Sequence, residues 1–217
     1  MIKPFAVGAV VFAMLGSYAD SAPAAEGSLG VELSSQASVI FHSMTADENI
    51  HGLEQKDELL CLASNIYFEA RAESMNGKAA VGNVTRNRVN DKRWPNTYCE
   101  VVGQGPVRES WKTRQTADPD DAVFYPVKHR CQFSWYCDGV RDVIWANKEG
   151  TDQLIKMNAR AWTDSIQAAL WVSGYTAIDI SDNTYGAVFY YAHHLVYPTW
   201  ADRKHYIGVI GNHTFMK

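Results

Sequence analysis

Glu69 and Glu73 stand four residues apart in the stretch YFEARAES, residues 67 to 74, directly after Tyr67 and Phe68. Read as the end of one helix, that spacing puts both carboxylates on one face, a turn apart. The ordinary reading of such a pair is a solvated charged stripe. Two features favour chemistry at Glu69. The helix beside it is apolar at Ile66 and Ala70, and Tyr67 and Phe68 supply a water-poor wall. A carboxyl among such groups has its pKa raised, as a general acid needs if it is to protonate a leaving oxygen near neutral pH. Glu73 is nearer the helix end and water, and reads as a supporting polar contact.

Other residues with chemical capacity lie toward the C-terminus. His193, His194, His205 and His213 crowd the end of the chain. A zinc hydrolase needs about three His or carboxylate ligands and an open position. H-E-x-x-H is absent, and adjacent His193 and His194 on a strand point to opposite faces, so no metal ligand set and no cofactor are assigned. G-x-S-x-G is absent as well, which leaves no serine nucleophile elbow. In CQFSWYCDG, Gln132 and Ser134 alternate with Phe133 and Trp135, the pattern of a strand with one polar face. Polar groups next to aromatic rings are consistent with a binding cleft. VFYYAHH and VYPTW read as core, with alternate residues free to line a groove.

The elements that must position these residues follow from periodicity. DELLCLASNIYFEARAE has apolar residues at Leu59, Leu62, Ala63, Ile66 and Ala70, which is helical spacing behind an acidic first turn. Ser74, Asn76 and Gly77 interrupt it, and a second helix restarts with Ala80, Val81, Val84 and Val89 on one face. RWPNTYCEVVGQGPV reads as loop with a short strand. NARAWTDSIQAALWVSGY predicts a helix ending near Gly174. GAVFYYAHH and HYIGVIGNHTF predict strands at the C-terminus. The class is α+β and helix-dominated.

Composition sets the outer limits. The chain has 217 residues, 47% of them hydrophobic and 12% aromatic, enough to bury one sizeable core. Net charge is −4, with the basic residues dispersed, so no nucleic-acid partner is expected. RNRVNDKR and KHR read as solvated faces. The N-terminus has Lys3, an apolar run from Phe5 to about Ala19, then Ala22-Pro23-Ala24, the layout of a secretory signal peptide over residues 1–24. The run is short for the roughly 20 residues of a membrane-spanning helix, so no stable membrane insertion is expected after cleavage; a retained anchor is the alternative. Residues 25–55 read as a linker or N-terminal arm with the amphipathic segment SVIFHSM, and residues 56–217 as the main domain. Export makes disulfides possible. Cys99, Cys131 and Cys137 are the candidates, Cys131 and Cys137 bracketing QFSWY, whereas Cys61 lies in a helical apolar pattern that suits a buried free thiol. Four cysteines allow three complete pairings.

Taken together, IYFEARAESMNGKAAVGNVTRNRV, RWPNTYCEVV, CQFSWYCDG, YYAHHLVYPTWA and IGNHTF resemble, in order and spacing, the cell wall hydrolases related to the spore-cortex-lytic enzymes. The resemblance covers about residues 57 to 215. It implies a single catalytic domain akin to lysozyme and the lytic transglycosylases, secreted or periplasmic, a monomer, with peptidoglycan glycan strands as its partner. The family's catalytic glutamate lands on Glu69. Substrate contacts are expected at Glu73, Gln132, Ser134, Tyr190, Tyr191, His193 and His213. Phe189 stands where a histidine is expected in relatives. Ordinary glycosidases need two carboxylates flanking the bond, and a same-face Glu69–Glu73 pair does not offer that. A lytic transglycosylase needs one glutamate, because the muramic acid's own 6-hydroxyl is the attacking group. Hydrolytic muramidase action on the same bond is the alternative, and a zinc-dependent amidase or peptidase using the C-terminal histidines a further one.

Overall fold

The computed structural model describes residues 29–46, 50, 52–115, 118–145, 152–175 and 180–217. The signal peptide expectation lies outside them. Within the segment expected as a linker or arm, β1 (Glu32–Leu33) and α1 (Ser35–Met44) are ordered elements packed on the domain. The Ser34 side chain caps α1 by accepting from the Ala37 amide at 3.3 Å. Phe41 of α1 stacks on Trp162, whose indole donates to the Ala37 carbonyl at 2.9 Å.

Three long helices make the core: α2 (Gly52–Ala70), α3 (Met75–Val89) and, after the elements described next, α5 (Asp152–Ser173). The sequence expectation holds for each, including the end of α5 before Gly174, whose φ of 73° is the left-handed geometry of a helix stop. Leu59, Leu62, Ala63 and Ile66 of α2 are wholly buried, as are Trp162, Ile166, Ala169 and Val172 of α5. α3 is buried almost all round. Gly82 permits this, since a Cβ there would stand 2.8 Å from Val172 and 2.9 Å from Ile66.

Three expectations about the middle of the chain are corrected. YCEVV is a helix, α4 (Tyr98–Val102), capped by the Thr97 side chain, rather than loop. Its packing on α2 brings Cys99 to Cys61, and the two are bridged, so Cys61 is not a free thiol. The hairpin of β2 (Val107–Glu109) and β3 (Phe124–Pro126) follows. CQFSWYC is not a strand. The Cys131–Cys137 bridge closes so short a loop that residues Ser134–Cys137 wind into a 3₁₀ turn. The alternation nonetheless describes burial: Phe133 and Trp135 are buried, Gln132 and Ser134 exposed. β4 (Val143–Ile144) pairs in parallel with β1.

At the C-terminus β5 (Phe189–Ala192), β6 (Tyr206–Ile210) and β7 (His213–Met216) form an antiparallel sheet with β7 central. Period-2 alternation places Tyr190 with His213 and Phe215 on the face toward the helices. Tyr191 falls on the other face against Tyr197 and Trp200. The whole is α+β and helix-dominated. No helix among the described residues is long and apolar enough to cross a membrane.

Candidate active site

The last turn of α2 presents Tyr67, Phe68 and Glu69. Tyr67 is buried in the core, while Glu69 is half-buried. Phe68 stacks on Trp135 at 4.5 Å, and the Trp135 indole donates to the Asn65 amide oxygen at 3.0 Å. Asn65 in turn donates to the Thr85 hydroxyl at 3.1 Å. One buried amide therefore locks the 131–137 loop to α2 and α2 to α3.

Three elements converge on Glu69 and its partner Tyr190. From β5, the Tyr190 hydroxyl donates to Glu69 Oε2 at 3.0 Å. From α3, Arg88 lies with its guanidinium 4.3 Å from the Trp94 ring and 5.1 Å from that of Phe133, and its Nε donates to the Val188 carbonyl at 2.8 Å. From β7, His213 sets its ring edge-on to Tyr190 at 5.2 Å. Burial raises the Glu69 pKa, against the Tyr190 hydrogen bond and the Arg88 charge, which favour the carboxylate. Burial pushes Arg88 down to about 10, with Tyr190 and Glu69 opposing, so it stays charged at neutral pH. Tyr190 is raised well above its ordinary value, by burial first and then by the Glu69 charge. A carboxyl so placed holds its proton to higher pH than a solvated one and is supported when it gives that proton up.

The expectation that Glu69 and Glu73 share a helix face is corrected. α2 stops at Ala70, and Glu73 sits in the turn before α3. The Lys78 ammonium, from a buried side chain of α3, donates to the carbonyls of Ala70 at 3.0 Å, Arg71 at 2.9 Å and Glu73 at 2.8 Å. These are among the carbonyls a helix end leaves unpaired. Ser74 caps α3 on the Gly77 amide at 3.3 Å. Glu73 turns toward the β6–β7 hairpin, accepting from the Asn212 side chain at 2.8 Å and its backbone N–H at 3.2 Å, with His213 Nδ1 3.7 Å away. Gly211 makes room, since its φ is 58° and a Cβ there would fall 2.0 Å from Glu73 Oε2. Glu73 is a clasp between the α2–α3 turn and the hairpin.

Of the other expected contacts, Tyr190 and His213 meet at Glu69's side of the sheet. Gln132 and Ser134 lie on the solvent side of the loop whose Phe133 covers Arg88. Tyr191 and His193 belong to the opposite sheet face, His193 reaching the Thr214 hydroxyl at 3.4 Å; the geometry does not bring them to Glu69. Burial, more than the Glu73 charge offsets, lowers the His213 pKa. Among the described residues no group of three or more His, Cys, Asp or Glu is placed to hold a metal ion. Sequence reasoning missed Arg88, taken for solvent within RNRVNDKR, and assigned Lys78 no role. The available signal was position: Val81, Val84 and Arg88 fall on one helical stripe, as do Lys78 and Val81.

The sequence profile described as Cell Wall Hydrolase matches residues 72–216, well over half of the chain. The chain belongs to the cell wall hydrolase family. It is thus an enzyme acting on peptidoglycan. Glu69 lies just before the matched segment. Among solved structures, this cell wall hydrolase is similar to the catalytic domain of the germination-specific lytic transglycosylase SleB from Bacillus anthracis, at 22% identity over 74% of this chain and 93% of that one, TM-score 0.42. The catalytic domain of Bacillus cereus SleB is similar at 22% identity, over 78% of this chain and 96% of that one, TM-score 0.42. No curated protein matches the chain.

Proposed function

We propose that this cell wall hydrolase cleaves peptidoglycan glycan strands at the N-acetylmuramic acid–N-acetylglucosamine bond, as a lytic transglycosylase with Glu69 as its single acid and base. The observation that carries the proposal is the asymmetry of the two glutamates. Glu69 holds a raised pKa under the Tyr190 hydroxyl, while Glu73 is turned away into the hairpin. Asp142 is raised by its own burial and then by the Asp138 charge, and the groups that act on Glu69 are Tyr190 and Arg88.

Protonated Glu69 gives its proton to the glycosidic oxygen as the bond from that oxygen to the muramic acid C1 breaks. The glucosamine leaves with a new hydroxyl. The resulting Glu69 carboxylate, held by the Tyr190 hydrogen bond, takes the proton of the muramic acid 6-hydroxyl as that oxygen bonds to C1. The product is a 1,6-anhydro sugar, and Glu69 ends protonated as it began. No water enters, and no second carboxylate is required, unlike retaining and inverting glycosidases. Gln132 and Ser134, exposed beside the loop over α2, are the proposed sugar contacts. Residues 1–24 are proposed to direct export, so that a monomer acts in the periplasm or outside the cell.

Glu69→Gln tests the assignment. The expected outcome is loss of wall solubilisation by a factor of at least about a thousand, with an unchanged far-UV spectrum and thermal midpoint. Retained activity in that variant rules out Glu69 as the acid.

A further inference from the structure

Arg88 is the least expected side chain of the site. It is 5% exposed, although nothing about folding requires a charge there. A buried guanidinium is costly unless its charge and its donors are answered, and an apolar side chain of similar volume commonly serves the fold as well or better. The surroundings answer Arg88 only in part. Trp94 and Phe133 flank it and Val188 accepts from Nε, but Nη1 is buried with no hydrogen-bond partner. Its acceptor Val188 lies two residues before Tyr190, whose hydroxyl donates to Glu69, and its ring neighbour Phe133 lies two residues before Trp135, which stacks on Phe68 next to Glu69, so the same strand and loop bring the cation to the Tyr190–Glu69 pair.

We propose that Arg88 is a positioning residue of the reaction: its fixed, buried cation supports the carboxylate that Glu69 becomes once its proton has gone to the leaving oxygen. This rests on the reading of Glu69 as the acid and base. A desolvated carboxyl alone is a poor proton donor, because its anion has no solvent to stabilise it. The clamp between two rings and the Val188 carbonyl fixes the guanidinium in advance, so no reorganisation accompanies the proton's departure. Water is kept from the cation by the same rings, which preserves the strength of its field.

The groups facing this pair come from each element packed on it. Glu69 is from α2, Arg88 from α3 and Tyr190 from β5, while His213 of β7 lies edge-on to Tyr190 with Glu73 beside it. Lys204 lies over Phe189, whose ring meets Trp94. Of these, Arg88 and Tyr190 favour the Glu69 anion.

The test is the titration of the Glu69 carboxyl itself, by carbon NMR of enzyme labelled at the glutamate side chains and assigned with Glu69→Gln. In Arg88→Met the Glu69 titration is expected to move up by about one pH unit relative to wild type. Arg88→Lys, whose ammonium sits on a flexible stem without the planar stacking, is expected to fall between the two. The alkaline limb of wall solubilisation should move by the same amounts, and kcat should fall about tenfold in Arg88→Met. If Arg88→Met does not fold, the order wild type below Arg88→Lys still decides. An unmoved Glu69 titration in whichever variant folds overturns the proposal. That readout needs no turnover, so failure of Glu69 as the catalytic acid, seen as wall release by Glu69→Gln, stays distinguishable.

Discussion

Lys78 ties the fold to the site, and replacing it with methionine isolates that link. Its ammonium is the shared donor for three carbonyls at the end of α2, at 2.8 to 3.0 Å. A hydrogen bond to a charged group contributes about 1.5–3 kcal/mol, and three such bonds from one ammonium do not add. Burying the ammonium costs several kcal/mol, which the carbonyls offset. Methionine fills the volume but leaves these carbonyls facing an apolar group, so the net loss is about 3 kcal/mol. For a chain of this size that is a fall of roughly 6–12 °C in thermal midpoint. Urea unfolding should show a lower midpoint with an unchanged slope, the sign of lost stability rather than a changed denatured state. Glu69 stands one residue before Ala70, so the weakened last turn should also lower kcat more than KM changes. A loss below about 0.5 kcal/mol, within the range of an ordinary surface substitution, refutes the capping role.

Three further outcomes follow from the same geometry. Tyr190→Phe removes a hydrogen bond that favours the Glu69 carboxylate, so the Glu69 pKa rises further; the alkaline limb of the activity profile should shift up by about one pH unit, with kcat reduced. Burial, helped by the Asp138 charge, pushes Asp142 up to about 6. The folded state therefore holds that proton more tightly than the unfolded chain, and stability falls as pH rises from about 4 to about 6. Asp142→Asn should then stabilise the protein by about 1 kcal/mol at neutral pH, a figure reduced for the group's partial exposure, and the gain should vanish near pH 4 in calorimetry. Removing the Cys61–Cys99 bridge, which spans 38 residues, should cost about 4 kcal/mol in denaturant unfolding; removing Cys131–Cys137, which spans 6, should cost about 2.

Helices with a clear stripe were legible in the sequence, and so were the C-terminal strands. Trp162, Ile166 and Ala169 recur at helical spacing up to Gly174, and Tyr190 and Tyr191 alternate as a strand requires. What escaped was set by contacts distant in sequence. α2 ends at Ala70, whose carbonyl accepts from a lysine eight residues further on, a feature no local pattern carries. Glu73 looked like the partner of Glu69, but its true partners are on a hairpin about 140 residues away. CQFSWYC has the period of a strand, and only the disulfide across it forces a tighter turn. Arg88 sat in a basic cluster that reads as solvated, and the rings that bury it come from outside its helix. Glu69 was identifiable from its neighbours and Tyr190 from the family resemblance, whereas Arg88, the other residue that acts on the Glu69 charge, was not.

Mass spectrometry of the products released from purified peptidoglycan tests the central claim most directly. A single-glutamate transglycosylase releases muropeptides ending in 1,6-anhydro-muramic acid, about 18 Da lighter than the hydrolysed forms because no water is added. Those products, absent with Glu69→Gln, are the expected result. Products with reducing muramic acid ends alone, or with cleaved amide bonds and intact glycan, contradict it.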